Sequence, residues 1–427
     1  MSTHKTSTTA SAGNPDAARG ADTAIDPRLL LREQGLAGYI SEFKRKVRGG
    51  DLGSIPVVIG LLLICVVFQT MNSEFLSAKN ISDIAVTMVA TGMIAVGMIF
   101  VLLLGEIDLS VGSVSGVAAA VVAVLSVTHG MNEWLALLAA VVSSALIGAI
   151  HGFFFAKIGA PAFAVTLAGL LFWVGFMLYL LGSTGTINLD SDGVIGDMTN
   201  YFFTDIAAAY GLAAFGVAAY FLSAFLDARR RTAAGIPARP LADIVLRTAV
   251  LAVFSFAAAA TFNQYRGLPL ALVLFLAVLV SMDFMLRRTA YGRKIFALGG
   301  SVEASRRAGI NVEMVRMTVF SLAGMFAGIG GLFWASKIAA ANQSSGAGDL
   351  LMNVIAAAVI GGTSLFGGRG SVWNALLGVM VIVSIQYGLS LEGIETPVQY
   401  MVTGGVLLAT VVIDSVTRKT QKTAGRA

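Results

Sequence analysis

Twelve long apolar stretches, separated by short polar segments, constrain this chain more than any other feature of its sequence. A helix that crosses a bilayer needs roughly 20 mostly apolar residues. Because backbone polar groups inside lipid must be paired within their own segment, stretches of this kind predict helices. We therefore expect an all-α, polytopic transmembrane helical bundle of about 12 spans, with 10 as the lower count. The stretches cover about 55–70, 84–104, 109–128, 134–157, 162–182, 206–226, 241–262, 268–286, 315–340, 350–366, 371–390 and 397–413.

Composition excludes several classes of protein. Hydrophobic residues make up 56% of the chain and charged residues only 12%, against about 25% charged residues in a soluble domain. This excludes an ordinary soluble enzyme and a chain that is disordered throughout. A single cysteine, Cys65, excludes a disulfide framework and a cysteine-based metal cluster. The three histidines lie far apart in the sequence, so we expect no metal site and no cofactor.

The distribution of Lys and Arg predicts the orientation. With the N-terminus placed in the cytoplasm and the loops alternating, 26 of the 29 basic residues fall on the inner side. The other three are Lys79, Arg266 and Lys337. Basic residues concentrate in cytoplasmic loops, so both termini are expected in the cytoplasm. The net charge of +5 therefore reflects topology, and we expect no nucleic-acid partner.

The chain divides into four parts. Residues 1–35 are rich in Ser, Thr, Ala and Asp and are expected to form a disordered cytoplasmic tail. Residues 36–53 place apolar side chains at helical spacing among basic ones, which fits an amphipathic helix on the inner leaflet and equally a basic linker. The transmembrane domain is expected over 54–416, and a cytoplasmic tail over 417–427.

The sequence contains no motif of an enzyme. There is no Gly-Lys dipeptide, and hence no nucleotide-binding P-loop, and no H-E-x-x-H zinc motif. The apolar stretches contain few ionisable side chains, whereas proton-coupled carriers depend on such groups within their helices. We expect no catalytic residues, and we expect any uphill transport to draw its energy from a partner.

The segment 105–116 places two carboxylates between two apolar stretches with almost no connecting loop. A carboxylate exposed to lipid would cost about 3 kcal/mol or more, so it must face water, protein or helix-end N–H groups. One interpretation is that Asp108 caps the following helix. The other is that this break touches the transport pathway or its gate. The candidate residues are Glu106, Asp108, Ser110 and Ser113.

The second unusual segment is the basic loop 287–314. Ser301 is suited to cap a short helix from Val302 to Ala308, and Gly309 to end it in a left-handed turn. A capped basic helix facing the cytosol fits a docking site for another protein, although a loop that only sets topology is an equally open alternative. The candidate docking residues are Gly292, Arg293, Gly299, Glu303, Ala304, Arg306, Arg307 and Gly309.

We also expect specific contacts for three side chains outside these two segments. Asp283 should pair with Arg287 one helical turn later. His151 should form a local hydrogen bond near the inner end of its span. Trp173, in the middle of a span, should serve packing rather than stacking on a sugar.

Three blocks in order resemble the permeases of monosaccharide ABC importers, the ribose, galactose and xylose group. They are Glu106-Ile-Asp-Leu-Ser-Val-Gly-Ser113, the loop Gly292-Arg-Lys-Ile-Phe-Ala-Leu-Gly-Gly300 with its continuation to Val312, and Val359-Ile-Gly-Gly-Thr363-Ser-Leu-Phe-Gly-Gly-Arg-Gly-Ser371. The resemblance covers about residues 55–416. The xylose branch fits best, because it has a similar extra helix pair and an Asn-Asp-Tyr-Arg-Gly segment; this chain has Asn263-Gln-Tyr-Arg-Gly267 there.

The resemblance implies the partners and the location. They are a cytoplasmic ABC ATPase docked on the 287–314 loop, an extracytoplasmic sugar-binding protein, a second permease copy, a monosaccharide substrate and the lipid of a bacterial plasma membrane. D-xylose is the expected sugar, although in this group the binding protein is expected to choose it. Two other functions stay open: an ion-coupled secondary sugar transporter, and a membrane receptor or scaffold without transport.

Overall fold

Helices form nearly all of the described structure. The computed structural model describes residues 55–236, 238–347 and 349–423. Fifteen α-helices run through these residues, numbered in chain order: α1 Ile55–Met71, α2 Ala78–Leu103, α3 Val111–Ala123, α4 Glu133–Phe153, α5 Ala162–Leu181, α6 Val194–Asn200, α7 Ile206–Ala233, α8 Leu241–Asn263, α9 Leu270–Arg288, α10 Ala290–Gly300, α11 Val302–Arg307, α12 Val312–Ile338, α13 Leu350–Ile360, α14 Trp373–Leu391 and α15 Thr396–Thr423. Single π-helical turns, Val124–Thr128 and Phe154–Ile158, extend α3 and α4.

Each of the twelve predicted stretches contains a helix, although the one predicted over 350–366 ends at Ile360, and the polytopic helical fold is confirmed. Within the described residues, nine helices are long and apolar enough to cross a membrane. Three more apolar helices are shorter: Pro56–Met71, Leu350–Ile360 and Thr396–Val412. The count of twelve spans therefore stays a prediction. The expectations for 1–35 and 36–53 lie outside the described residues, and α15 continues past residue 416 to Thr423.

The second predicted span begins earlier than expected. Helix α2 starts at Ala78 rather than near 84, because the side chain of Ser77 accepts a hydrogen bond from Asn80 N and caps the helix. From Ala85 to Leu103 every residue of α2 is buried. Helices α12, α13 and α14 pack around it, so α2 is the axis of the bundle.

Small residues bring α4 and α12 into close contact. A Cβ placed on Gly324 would lie 2.9 Å from Gly148 N, and one on Gly152 would lie 2.8 Å from Met317 Cα. Such distances are too short for any larger side chain, so the glycines permit backbone-to-backbone packing.

Two short antiparallel strand pairs lie at one end of the bundle, and the sequence did not predict them. Strand β1 (Thr186–Asn188) pairs with β4 (Ala340–Asn342), with Ile187 opposite Ala341. Strand β2 (Phe202–Phe203) pairs with β3 (Leu268–Pro269). Strands of two or three residues are too short for an alternating pattern to reveal them.

The basic loops meet at the opposite end. Lys157 lies 3.7 Å from Glu313, and Arg287 Nη2 donates to Ser371 Oγ at 3.1 Å. The 287–314 loop, Lys157 and the 366–371 turn therefore form one surface, which we call the basic end.

Candidate functional site

The break between α2 and α3 is an irregular segment with a buried carboxylate. Gly105 takes a left-handed conformation with φ 81°, which turns the chain after α2. Asp108 is only 1% exposed, and its Oδ1 accepts hydrogen bonds from Ser110 N at 2.8 Å and from Ser110 Oγ at 2.6 Å. Ser110 itself holds the N-cap position of α3. The capping interpretation of Asp108 is therefore wrong in detail: Asp108 closes the turn that precedes the helix.

A chain of hydrogen bonds continues from Asp108 into two other helices. Ser110 Oγ lies 3.1 Å from His151 Nδ1 in α4, and Trp173 Nε1 in α5 donates to His151 Nε2 at 2.9 Å. An indole N–H can only donate, so Nε2 must accept and the imidazole is neutral. Its Nδ1–H then donates to Ser110 Oγ, whose own proton goes to Asp108. We call Trp173, His151, Ser110 and Asp108 the buried relay.

The relay corrects one expectation from the sequence and adds a role to another residue. His151 does not bond locally, since its partners are 41 and 22 residues away in sequence. Trp173 packs against Phe172 and Phe176 as expected, but it also supplies the donor that orients the imidazole. Periodicity cannot reveal pairs brought together by tertiary packing.

The four predicted pathway residues divide into two groups. Asp108, Ser110 and Ser113 are all buried, and Ser113 Oγ donates to Ser110 O at 2.9 Å. Glu106 is half-buried at the basic end. Burial raises the pKa of the Glu106 carboxyl, and the nearby Arg316 guanidinium opposes that rise. Their role in a pathway or gate stays a prediction.

The 287–314 loop is folded into two helices, not one. Thr289 Oγ1 accepts from Gly292 N and caps α10, which the sequence did not predict. The predicted short helix is confirmed: Ser301 Oγ accepts from Ala304 N at the start of α11, and Gly309 follows its end with φ 77°. The predicted Asp283–Arg287 ion pair is also confirmed, at 2.7 Å.

The predicted docking residues differ in exposure. Gly292 is buried and Gly299 is half-buried, while the others project to the surface. Arg307 Nε lies 3.6 Å from Glu303 Oε1, with both side chains more than half exposed. An exposed pair of this kind contributes about 0–1 kcal/mol. The exposed set is Arg293, Glu303, Ala304, Arg306, Arg307 and Gly309.

The half-buried glycine of α10 lies against the end of α2. A Cβ on Gly299 would overlap the carbonyl oxygen of Leu103 and would lie 2.7 Å from Gly368 N. Gly368 N already donates to Leu103 O at 2.9 Å, and a Cβ on Gly105 would lie 3.3 Å from Phe366 O. We call the packing of Gly299, Leu103 and Gly368 the coupling contact. It joins the basic loop directly to the break that carries Asp108.

Two further polar groups lie between helices. Asp349 Oδ2 accepts from Asn353 Nδ2 at 2.6 Å and from Gln386 Nε2 at 3.4 Å. Lys337 Nζ donates to Thr87 Oγ1 and, at 3.3 Å, to Tyr387 Oη. Polar side chains within apolar stretches were the signal for both groups. Among the described residues, no three His, Cys, Asp or Glu side chains lie close enough to hold a metal ion.

Comparison with known proteins places the chain in a family. A family model described as "Branched-chain amino acid transport system / permease component" matches residues 80–411. The xylose transport system permease protein XylH of Escherichia coli K12 is 35% identical over 365 residues, which cover 85% of this chain and 92% of that protein. XylH of Haemophilus influenzae is 33% identical over 382 residues, covering 88% of this chain and 99% of the relative.

A third relative is named for a different sugar. The ribose import permease protein RbsC of Escherichia coli K12 is 30% identical over 359 residues, covering 84% of this chain and 92% of RbsC. No solved structure matches. A permease component is a part of a transporter and not a catalytic enzyme. The family match and the apolar helices show that this chain is a multi-pass cell membrane protein and belongs to the family of transport-system permease components.

Proposed function

We propose that this chain is the membrane-spanning subunit of an ABC importer for a monosaccharide, with D-xylose as the first sugar to test. The description of the family model names branched-chain amino acids as the transported solute. The relatives whose alignments cover most of this chain and most of their own length are instead named for xylose and ribose. Those relatives support a sugar as the substrate. The identity to XylH, 35%, makes xylose the natural first choice.

The basic end is proposed to face the cytoplasm, since Lys and Arg concentrate there. A cytoplasmic ABC ATPase docks on α10 and α11, and an extracytoplasmic sugar-binding protein delivers the sugar to the end that carries the short strands. Two copies of the chain form the pathway. Both termini are then cytoplasmic.

The coupling contact is the observation that carries this proposal. Helix α10 touches the end of α2 without an intervening side chain, because Gly299 has no Cβ where it meets the carbonyl oxygen of Leu103. The N–H of Gly368 donates to the same oxygen at 2.9 Å. A displacement of α10 by a docked ATPase is therefore transmitted to Leu103 and to the break at Gly105. Backbone contacts of this kind have little freedom to absorb movement.

The break connects that movement to the bundle interior. Asp108 and Ser110 follow Gly105 within five residues, and the buried relay ties them to α4 and α5. We propose that ATP-driven displacement of α10 shifts this break and thereby changes access to the pathway. The pathway binds sugar weakly, since a ligand held tightly in one state would resist the switch to the other.

Reconstituted uptake tests the proposal. The chain, its ATPase and its binding protein are placed in proteoliposomes with ATP inside the compartment that the ATPase faces, and labelled D-xylose uptake is measured. We expect uptake that requires ATP and the binding protein, persists when ionophores collapse proton and sodium gradients, and is not reduced by excess leucine. Uptake that stops with the ionophores would instead support an ion-coupled secondary transporter. No flux of either solute would support a receptor or scaffold.

A further inference from the structure

Helices α7 and α8 form a hairpin at the edge of the bundle. They pack mainly on each other, and in α7 only Ala209 and Ala213, near its start, are buried. The two helices are joined by a connection whose described residues are 234–236 and 238–240, and Gly235 takes a left-handed conformation with φ 67°. This turn, which we call the hairpin tip, points to the same side as the basic end, because α7 and α9 each run there from the strand pair β2–β3.

The hairpin tip carries positive charge that its own carboxylates do not balance. Arg231 pairs with Asp227 at 3.0 Å, and Arg247 pairs with Asp243 at 2.9 Å. Within the described part of the chain, the remaining arginines of the tip have no carboxylate within salt-bridge distance: Arg229, Arg230 and Arg239.

A cavity of about 410 Å³ opens between the two helices at this point. Arg229 and Arg239 line it together with Thr232, Leu241 and Ile244. The guanidinium of Arg229 lies over the ring of Phe225, 5.7 Å from its centroid, which holds it at the cavity wall. The wall therefore offers two guanidinium groups beside the apolar side chains of Leu241 and Ile244, while the Thr232 hydroxyl donates to Ala228 O at 3.0 Å.

The start of α8 contributes to the same cavity. Pro240 precedes Leu241 and has no side-chain acceptor, so no side-chain cap satisfies the N–H groups of Leu241 and Ala242. The N–H of Asp243 donates to Pro240 O at 3.1 Å. The helix dipole adds positive potential there. Asp243, in the first turn, directs its Oδ1 toward Arg247.

Exposed apolar side chains lie on the same two helices, farther from the hairpin tip than the cavity-lining arginines. Leu222 and Leu246 are each more than half exposed, and Val245 is 49% exposed. A ligand with a phosphate group and acyl chains matches this pairing of guanidinium groups with exposed apolar residues, whereas free phosphate would use only the polar half. Basic pockets between helices at the cytoplasmic surface suit anionic lipid headgroups.

We propose that the hairpin tip binds the phosphate headgroup of an anionic phospholipid in the leaflet that the basic end faces. Arg229 and Arg239 contact the phosphate oxygens, the N-terminus of α8 adds N–H donors, and the acyl chains lie along Leu222, Val245 and Leu246. This site does not depend on which solute the permease carries.

Native mass spectrometry of the delipidated, purified chain tests this proposal. The probes are phosphatidylglycerol and, as a zwitterionic control, phosphatidylcholine. The variant is Arg229→Gln with Arg239→Gln. The matched control is Arg266→Gln, which removes an arginine that also lies over a ring, Phe202, at the opposite end. We expect the double variant to bind phosphatidylglycerol roughly thirtyfold more weakly, with phosphatidylcholine binding unchanged and the control like the wild type.

Two results would overturn the proposal. One is equal phosphatidylglycerol binding by the double variant and the wild type. The other is complete displacement of the lipid by millimolar glycerol phosphate or inorganic phosphate, which would make the site one for a free phosphate. Should the double variant not fold, Arg239→Gln alone is decisive, since Arg239 lies in the connection and supports no helix.

Discussion

The indole Nε1 of Trp173 lies 2.9 Å from the imidazole Nε2 of His151, and of the two atoms only the indole nitrogen carries an obligatory proton. This contact keeps His151 neutral and points its other nitrogen at Ser110, which is bonded to Asp108. Trp173 in α5 therefore orients His151 in α4, and His151 in turn contacts Ser110 in the break between α2 and α3.

Replacing Trp173 by phenylalanine removes the donor and leaves a buried imidazole nitrogen without its partner. We expect the free energy of unfolding to fall by about 1–3 kcal/mol, measured as a lower thermal midpoint of the protein in detergent. Trp134→Phe is the matched control, because Trp134 is 66% exposed. Equal midpoints for the two variants would show that the contact contributes nothing.

Asp108→Asn should be tolerated better than Asp108→Ala. An asparagine carbonyl can still accept both hydrogen bonds from Ser110, whereas alanine leaves the Ser110 N–H and hydroxyl unpaired in a buried segment. We expect near-normal folding of the Asn variant and a clear loss of folded protein for Ala, measured by gel filtration in detergent. Asp192→Ala, at an exposed acid, is the control.

The transport readout separates two roles for Asp108. If both variants fold and both lose uptake, the carboxylate charge itself is required. Full uptake by the Ala variant would remove Asp108 from the pathway or gate.

Local sequence features predicted the helices well. Helices α2 to α5 could be predicted from their apolar stretches, because hydropathy depends on each stretch alone. Ser301 and Gly309 predicted the two ends of α11, because serine caps helix starts and glycine adopts the left-handed conformation that ends them. The observed start of α2 lies earlier than the predicted one, because the capping residue Ser77 lies outside the apolar stretch 84–104.

Contacts between distant segments could not be predicted in the same way. The relay joins Asp108 to residues about 40 and 65 positions later, and no periodicity links them. The fit of Gly299 against Leu103 depends on a missing Cβ, which a sequence shows only as one glycine among 48. The strand pairs are too short to leave a pattern.

Ala304→Asp tests docking at α11. Ala304 is exposed at the start of this helix, so a carboxylate there is compatible with folding and favourable to the helix dipole. It nevertheless adds bulk and a charge where the ATPase is proposed to sit. We expect the variant to insert normally and to lose co-purification of the ATPase in detergent.

The control for docking is Ala207→Asp, an exposed alanine in the first turn of α7 at the opposite end. It should keep co-purification of the ATPase. Normal ATPase binding by the Ala304 variant would leave the 287–314 loop as a segment that only sets topology.

The coupling contact is the central claim, and two neighbouring glycines test it most directly. A Cβ on Gly299 would overlap Leu103 O, whereas no described heavy atom lies within 4 Å of a Cβ on Gly300. Both residues lie in the last turn of α10, so neither change to alanine disfavours the helix. They differ only in whether a methyl group enters the contact with α2, where overpacking costs about 1–3 kcal/mol.

The decisive measurement is ATP-driven D-xylose uptake in proteoliposomes, with ATPase co-purification recorded for the same samples. We predict that Gly299→Ala keeps the ATPase bound but loses most of its uptake, while Gly300→Ala matches the wild type in both. Wild-type uptake by Gly299→Ala, or an equal loss in the two variants, would contradict the account that α10 drives the break through Leu103.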